Sequence, residues 1–209
     1  SFVGGPGELQ IELDRRLIQE KIDKIKRKLK SVAKRRFIQR KSRIKNNFKI
    51  FALVGYTNAG KTKLFNRLTK ANQKSVNKLF STLDTKISKV FINSNTIVGL
   101  IDTVGFINNI PTQLIESFKA TFEEIHQADF IINVVDFSDK NYKNKIKNTL
   151  ETLKEMKIDE NKINNILTVY NKIDLINRKP DLINGRSYLS AISGKGIDLL
   201  KVSMKNSLT

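Results

Sequence analysis

Residues 50–62 limit the possible folds more than any other part of the chain. An apolar run, Ile50–Val54, leads directly into Gly55, Tyr56, Thr57, Asn58, Ala59, Gly60, Lys61 and Thr62, and a helix-forming segment follows. This is G-x-x-x-x-G-K-T between a strand and a helix, the context in which the motif forms a phosphate-binding loop. Gly55 and Gly60 allow backbone angles that a Cβ forbids, so consecutive N–H groups turn toward one anion. Lys61 is placed to reach β- and γ-phosphates, and the Thr62 hydroxyl to ligate Mg²⁺. The positive end of the following helix dipole acts on the same phosphates. Without the flanking strand and helix, these residues would read as a Gly-rich turn.

Two further strand-end motifs identify the nucleotide. The run Ile97–Ile101 ends in Asp102, Thr103, Val104 and Gly105. An acidic group at a strand end beside such a loop holds Mg²⁺ directly or through water. The Gly105 N–H is then open to a γ-phosphate, because glycine tolerates close approach. The run Ile166–Tyr170 ends in Asn171, Lys172, Ile173 and Asp174. A carboxylate at Asp174 accepts from the N1–H and exocyclic amine of guanine, whereas adenine has no N1 donor and leaves it unpaired. By themselves these residues fit ordinary turn chemistry. In register behind the other motifs they select GTP and GDP over ATP. Ser190, Ala191 and Ile192, after the short strand Arg186–Leu189, are expected to offer backbone N–H groups to the guanine O6.

Near-continuous apolar runs around 50–54, 97–101, 130–135 and 166–170 alternate with helical patterns, the signature of a sheet covered on both faces. The fold expected is α/β: a P-loop NTPase of the Ras-like G-domain type. Its mostly parallel six-stranded sheet is flanked by helices and preceded by a long basic α-helix. The division expected is a lead-in and helix over residues 1–46 and a GTP-binding domain over 47–209. No cysteine is present, which excludes disulfides and thiolate metal sites and fits a reducing compartment. No apolar stretch approaches a membrane span. The chain opens on Ser1 rather than Met, as an excised piece would, so the lack of a targeting segment carries little weight.

The formal net charge of +19 is unevenly distributed. Residues 1–49 contain sixteen Lys or Arg and five Asp or Glu, which leaves +11 there and +8 on the other 160 residues. Such a field attracts polyanions, RNA or anionic lipid. From Glu8 to Arg43 there is no Pro or Gly, and Ile18, Ile22, Ile25, Leu29 and Val32 recur in heptad steps. Lys24, Lys26, Arg27, Lys28, Lys30, Lys34, Arg35 and Arg36 load the other faces, as a solvated face or an RNA contact. The apolar stripe is narrow, which argues against a lipid-facing helix and leaves any membrane association peripheral.

A polar connection from Ala71 to Thr85 follows the first helix, where a γ-phosphate-sensing loop belongs. Within it lie Phe80, Ser81, Thr82, Leu83 and Asp84. Thr82 is the first candidate to close on Mg²⁺ and Thr85 the second; the alternative is a strand-entry threonine with no ligand. Gly105–Pro111 is the second mobile loop, leading into a helix over 112–127 with a core-facing stripe of Leu114, Phe118, Phe122 and Ile125. His126, the only histidine, ends that helix in an exposed or capping place. Further covering helices are expected over 141–157 and 196–206.

These motifs resemble the HflX family of ribosome-associated GTPases. Gly5-Pro-Gly-Glu8 with Gln10–Ile18, Gly55–Lys61, Phe80–Asp84 and Asp102–Ile107 carry the resemblance, which extends over roughly residues 4–200. It implies that Thr82 serves as the switch threonine, and that the protein binds the large ribosomal subunit and its rRNA in the GTP state. It implies too that the protein hydrolyses GTP when stimulated there and helps split or recycle stalled ribosomes. It implies a cytoplasmic monomer of bacterial type, with no DNA partner. Three features depart from the family: Lys63 replaces a usual Thr, Thr85 replaces a usual Pro, and the family's preceding N-terminal domain has no counterpart in the chain.

The position where Ras-like proteins keep a water-orienting Gln is Phe106, and a phenyl ring neither orients nor deprotonates water. Slow intrinsic turnover, dependent on a partner's group or a rearranged loop, is therefore expected. Related GTPases with Asn at the position of Asn58 use a bound K⁺, which makes K⁺ a candidate cofactor here. The competing readings are a GTP-controlled binding module with incidental hydrolysis, a membrane-surface GTPase, and a GTPase that assembles ribosomes.

Overall fold

The computed structural model describes residues 15–20, 49–70, 87–103 and 123–208. The chain forms two compact units, Ser1–Phe48 and Lys49–Thr209. In the first unit, residues 15–20 are helical and exposed. The rest of the expected long helix, the 71–85 connection and the 104–122 segment lie outside the described residues.

The second unit is built on seven strands: β1 (Ile50–Val54), β2 (Ile87–Phe91), β3 (Ile97–Asp102), β4 (Phe130–Asp136), β5 (Leu167–Asn171), β6 (Asp181–Ile183) and β7 (Arg186–Tyr188). Their order is β2-β3-β1-β4-β5-β7-β6. Pairings around β1, β4, β5 and β7 are parallel; the outer pairs β2–β3 and β6–β7 are antiparallel. The α/β P-loop fold is therefore as the sequence implies, with one strand more than expected. The extra strand, β6, is three residues long and mostly exposed, too short to leave an alternating pattern in the sequence.

Helices α1 (Lys61–Thr69), α2 (Tyr142–Glu155), α3 (Glu160–Asn164) and α4 (Ile197–Asn206) flank the sheet, and residues 123–127 are also helical. His126 is exposed on that segment, and its carbonyl accepts from Lys162 Nζ at 2.7 Å. All five side chains of β1 are buried, as a central parallel strand requires. Phe51 stacks on Phe130 with ring centroids 4.7 Å apart. Leu64, Phe65 and Leu68 of α1 pack into the same core as Leu53, Leu100, Ile132 and Val169. The entry to β1 is fastened by Asp129, whose carboxylate accepts from the Ile50 N–H at 2.9 Å and pairs with Lys49.

Chain order reverses on either side of β1, between β3 and β4. The loop after β1 therefore opens at the switch point, where open α/β sheets bind ligands beyond their carboxyl ends. Phe65, fully buried, measures how firmly α1 is held there. Phe65→Ala is expected to destabilise the protein by about 3–5 kcal/mol in urea denaturation. Val202→Ala, at an exposed position of α4, should stay within about 0.5 kcal/mol of the parent.

Candidate functional site

The loop from Gly55 to Gly60 leaves β1 through a conformation that only glycine tolerates. Gly55 has φ +132°, and a Cβ there would stand 2.3 Å from the Val134 carbonyl oxygen of β4. At the other end Gly60, φ +94°, is the N-cap of α1, and a Cβ would stand 2.3 Å from Asn171 Nδ2. Between them Asn58 is exposed with φ +63°, a left-handed backbone that Asn accepts better than most residues. The first turn of α1 contains no acidic residue and its N-cap makes no side-chain bond, so the positive end of the helix dipole meets no carboxylate of its own turn.

Lys61 is buried in this loop, and its ammonium donates to the carbonyls of Gly55 at 3.0 Å and Tyr56 at 2.8 Å. Burial, opposed by the nearby Asp102 carboxylate, pulls its pKa down from 10.5 to about 8. Thr62 is buried on the same turn. Asp102 ends β3 beside Leu53 of β1 and is buried, and the Thr103 hydroxyl donates to the Leu53 carbonyl. The Thr62 hydroxyl in the first turn of α1 and the Asp102 carboxylate at the end of β3 are hard oxygen donors of the kind Mg²⁺ takes alongside phosphate and water. Among the described residues there is no cluster of three His, Cys, Asp or Glu that could form an all-protein metal cage.

The second half of the site hangs on Asn171. This side chain, 2 % exposed, donates from Nδ2 to the Ala59 carbonyl and accepts at Oδ1 from the Ala191 N–H, both at 2.9 Å. One amide thus ties the phosphate loop to the loop after β7. Lys172 turns the chain with φ +67° and pairs with Asp136 Oδ2 at 2.6 Å. Ile173 is buried and anchors a short 3-10 turn, Ile173–Ile176, on which Asp174 is exposed. The Ser190 N–H donates to the Lys195 carbonyl at 2.9 Å, and the Ala191 N–H is taken by Asn171. Of the three N–H groups expected to reach a base, only that of Ile192 has no acceptor among the described residues. Phe80, Ser81, Thr82, Leu83, Asp84, Thr85, Val104, Gly105 and Phe106 lie outside the described residues, and so does the geometry of their loops. Lys63, one of the departures, is exposed on α1.

Sequence reasoning missed two residues, Asn133 and Arg67, and the packing of Tyr56, which it had already placed in the phosphate loop. Asn133 is buried in the middle of β4 under Gly55, and its Nδ2 has no partner among the described residues. Its signal was available: one amide in the apolar run Phe130–Val135. Tyr56 accepts at its hydroxyl from Asn148 Nδ2 of α2 at 3.1 Å, over a cavity of about 110 Å³ lined also by Asn133, Asp136 and Lys145. Arg67 of α1 reaches the loop after β7. Neither contact has a signature in local sequence.

A family profile described as "50S ribosome-binding GTPase" matches residues 50–172, and one described as "GTP-binding GTPase Middle Region" matches 1–43. The GTPase HflX of Magnetococcus marinus is 41% identical over 210 residues, covering 98% of this chain and 48% of that protein. The chain belongs to the HflX GTPase family. The HflX of Escherichia coli is 40% identical, covering 94% of this chain and 47% of that one. The chain thus spans about half the length of the curated relatives it matches. A crystal structure of SsGBP in complex with GDP aligns at TM-score 0.64 with 27% identity, over 94% of this chain and 60% of that one.

The Lys61 shift has a measurable consequence for the ligand-free protein. Its folded pKa lies below its unfolded value. Between about pH 8 and 10.5 the unfolded chain therefore holds a proton that the folded chain has released. Stability is reduced by this group below pH 8 and rises with pH across that window. Urea midpoints taken from pH 7 to pH 10 should show the rise in the parent, and Lys61→Met should lack it.

Proposed function

We propose that this HflX-family chain binds GTP and GDP with Mg²⁺ and hydrolyses GTP as a switch on the large ribosomal subunit. The observation that supports it most is the double bond of Asn171 to Ala59 and Ala191. It holds an anion-ready loop and a base-reading loop at one strand edge, with exposed Asp174 three residues on.

In this reading Lys61 exchanges its two loop carbonyls for the β- and γ-phosphates, and the N–H groups from Tyr56 to Thr62 orient them. Thr62 and Thr82 would hold Mg²⁺, with Asp102 placed to act through water. The ion would supply charge neutralisation for the phosphates. The Asp174 carboxylate reads the guanine N1–H and amine. Phosphoryl transfer to water needs mainly positioning and neutral charge, and Gly105 would meet the γ-phosphate. Phe106 supplies no group to orient the water, so turnover is slow until the ribosome supplies or rearranges one. Asn58 would contact a K⁺ beside the phosphates, on the exposed side of the loop. The basic residues of 1–49 and the G domain would contact rRNA, in ribosome splitting, recycling or rescue, by a monomer in the cytoplasm. Among the described residues no helix is long and apolar enough to cross a membrane.

The test is GTP turnover titrated with isolated large ribosomal subunits. Turnover should rise by at least about tenfold at saturation and be faster in K⁺ than in Na⁺. A rate unchanged by subunits, with GTP-dependent binding intact, would favour the binding-module reading that Phe106 supports. Asp174→Asn converts an acceptor into an amide that also donates. GTP affinity should fall by about a hundredfold or more, with a gain for xanthosine triphosphate, measured by competition against a fluorescent nucleotide.

A further inference from the structure

Arg67 stands in the last turn of α1, six positions beyond Lys61, and belongs to neither the phosphate motif nor the guanine motif. Its Nε donates to the Ala191 carbonyl at 3.2 Å and its terminal nitrogen donates to the Ile192 carbonyl. The guanidinium also lies against Gly194, where a Cβ would meet its central carbon at 3.5 Å. The fork geometry of Arg suits two adjacent carbonyls in a way a point-charge ammonium does not.

The loop it grips is held from several sides. Ser190 accepts at its carbonyl from the Gly194 N–H at 2.8 Å, and its hydroxyl accepts from the Ser193 N–H at 3.1 Å. Ala191 gives its N–H to Asn171 and its carbonyl to Arg67. The peptide joining Ala191 to Ile192 is trans, so its N–H is opposed to its C=O. With that carbonyl fixed on Arg67, the Ile192 N–H is directed away from Arg67, and it has no acceptor among the described residues.

We propose that Arg67 is a positioning residue for base recognition: by holding the Ala191 and Ile192 carbonyls it presents the Ile192 N–H to the O6 carbonyl of guanine. This rests on the guanine-nucleotide reading and extends it. α1 then serves the nucleotide at both ends, the phosphates through its first turn and the base through Arg67 in its last. A bland alternative is that Arg67 only complements the C-terminal dipole of α1, which would affect stability without regard to the base.

The experiment compares GDP, 6-thio-GDP and ADP on the parent chain, Arg67→Ala and Arg67→Lys, by competition against a fluorescent GDP analogue. Sulfur at position 6 is a poorer acceptor than oxygen, so the parent should prefer GDP over 6-thio-GDP by about tenfold. In Arg67→Ala the GDP affinity should fall by about tenfold while 6-thio-GDP changes little, bringing the ratio near one. Arg67→Lys, able to hold one carbonyl, should lie between. A ratio unchanged from the parent, including equal weakening of both nucleotides, would overturn the proposal, as would a parent that does not separate GDP from 6-thio-GDP. A parent that binds ADP as well as GDP would reject the guanine-nucleotide reading itself. Arg67 is exposed, and thermal melts confirm that each variant is folded before it is titrated.

Discussion

One buried amide holds the candidate site together. Asn171 ends β5 with both halves of its side chain engaged, Nδ2 on Ala59 and Oδ1 on Ala191. Those partners lie 112 and 20 residues away in sequence. An amide buried at this depth costs free energy wherever a partner is lost, so its bonds fix the spacing of the loops as well as joining them. Gly60 belongs to the same arrangement, because any side chain there would collide with the amide. The requirement for glycine at the end of the phosphate loop therefore has two origins: the φ of an N-cap and the room needed by Asn171.

Charge is organised around the same frame. Lys61 lies folded onto carbonyls of its own loop, and burial lowers its pKa to about 8. A polyphosphate would replace those carbonyls with full negative charges, so the loop is poised to prefer anions over water. Asp102 lowers the cost of keeping the lysine charged. Lys172, next to Asn171, pairs with Asp136, and Asp174 is exposed on the turn that follows.

The central strands could be read directly because each is an apolar run buried on both faces: Ile50–Val54 matches the reading residue for residue, and β5 is displaced by one. The helices over 142–155 and 197–206 differ from the expected spans by one or two residues at their ends, where fraying and capping set the limit. What the sequence could not give is pairwise. Arg67 meets the loop after β7 across 124 residues, and Tyr56 meets Asn148 across 92. Such contacts follow from how α1 and α2 lie on the sheet, and no local period encodes that. The three N–H groups assigned to the base looked equivalent in sequence; only the fold distinguishes the two with protein acceptors from that of Ile192. Asn133 was visible as a polar residue in an apolar strand, yet its place under Gly55 needed the strand register.

The most direct test is calorimetric titration of the chain with Mg·GDP and, separately, Mg·ADP, repeated on Asn171→Ala. The expected result is tight, saturable GDP binding by the parent, no measurable ADP binding, and a collapse of GDP affinity in the variant. Comparable affinities for the two nucleotides, or an Asn171→Ala variant that binds GDP like the parent, would contradict the claim that one amide joins a phosphate loop and a guanine loop into a single site.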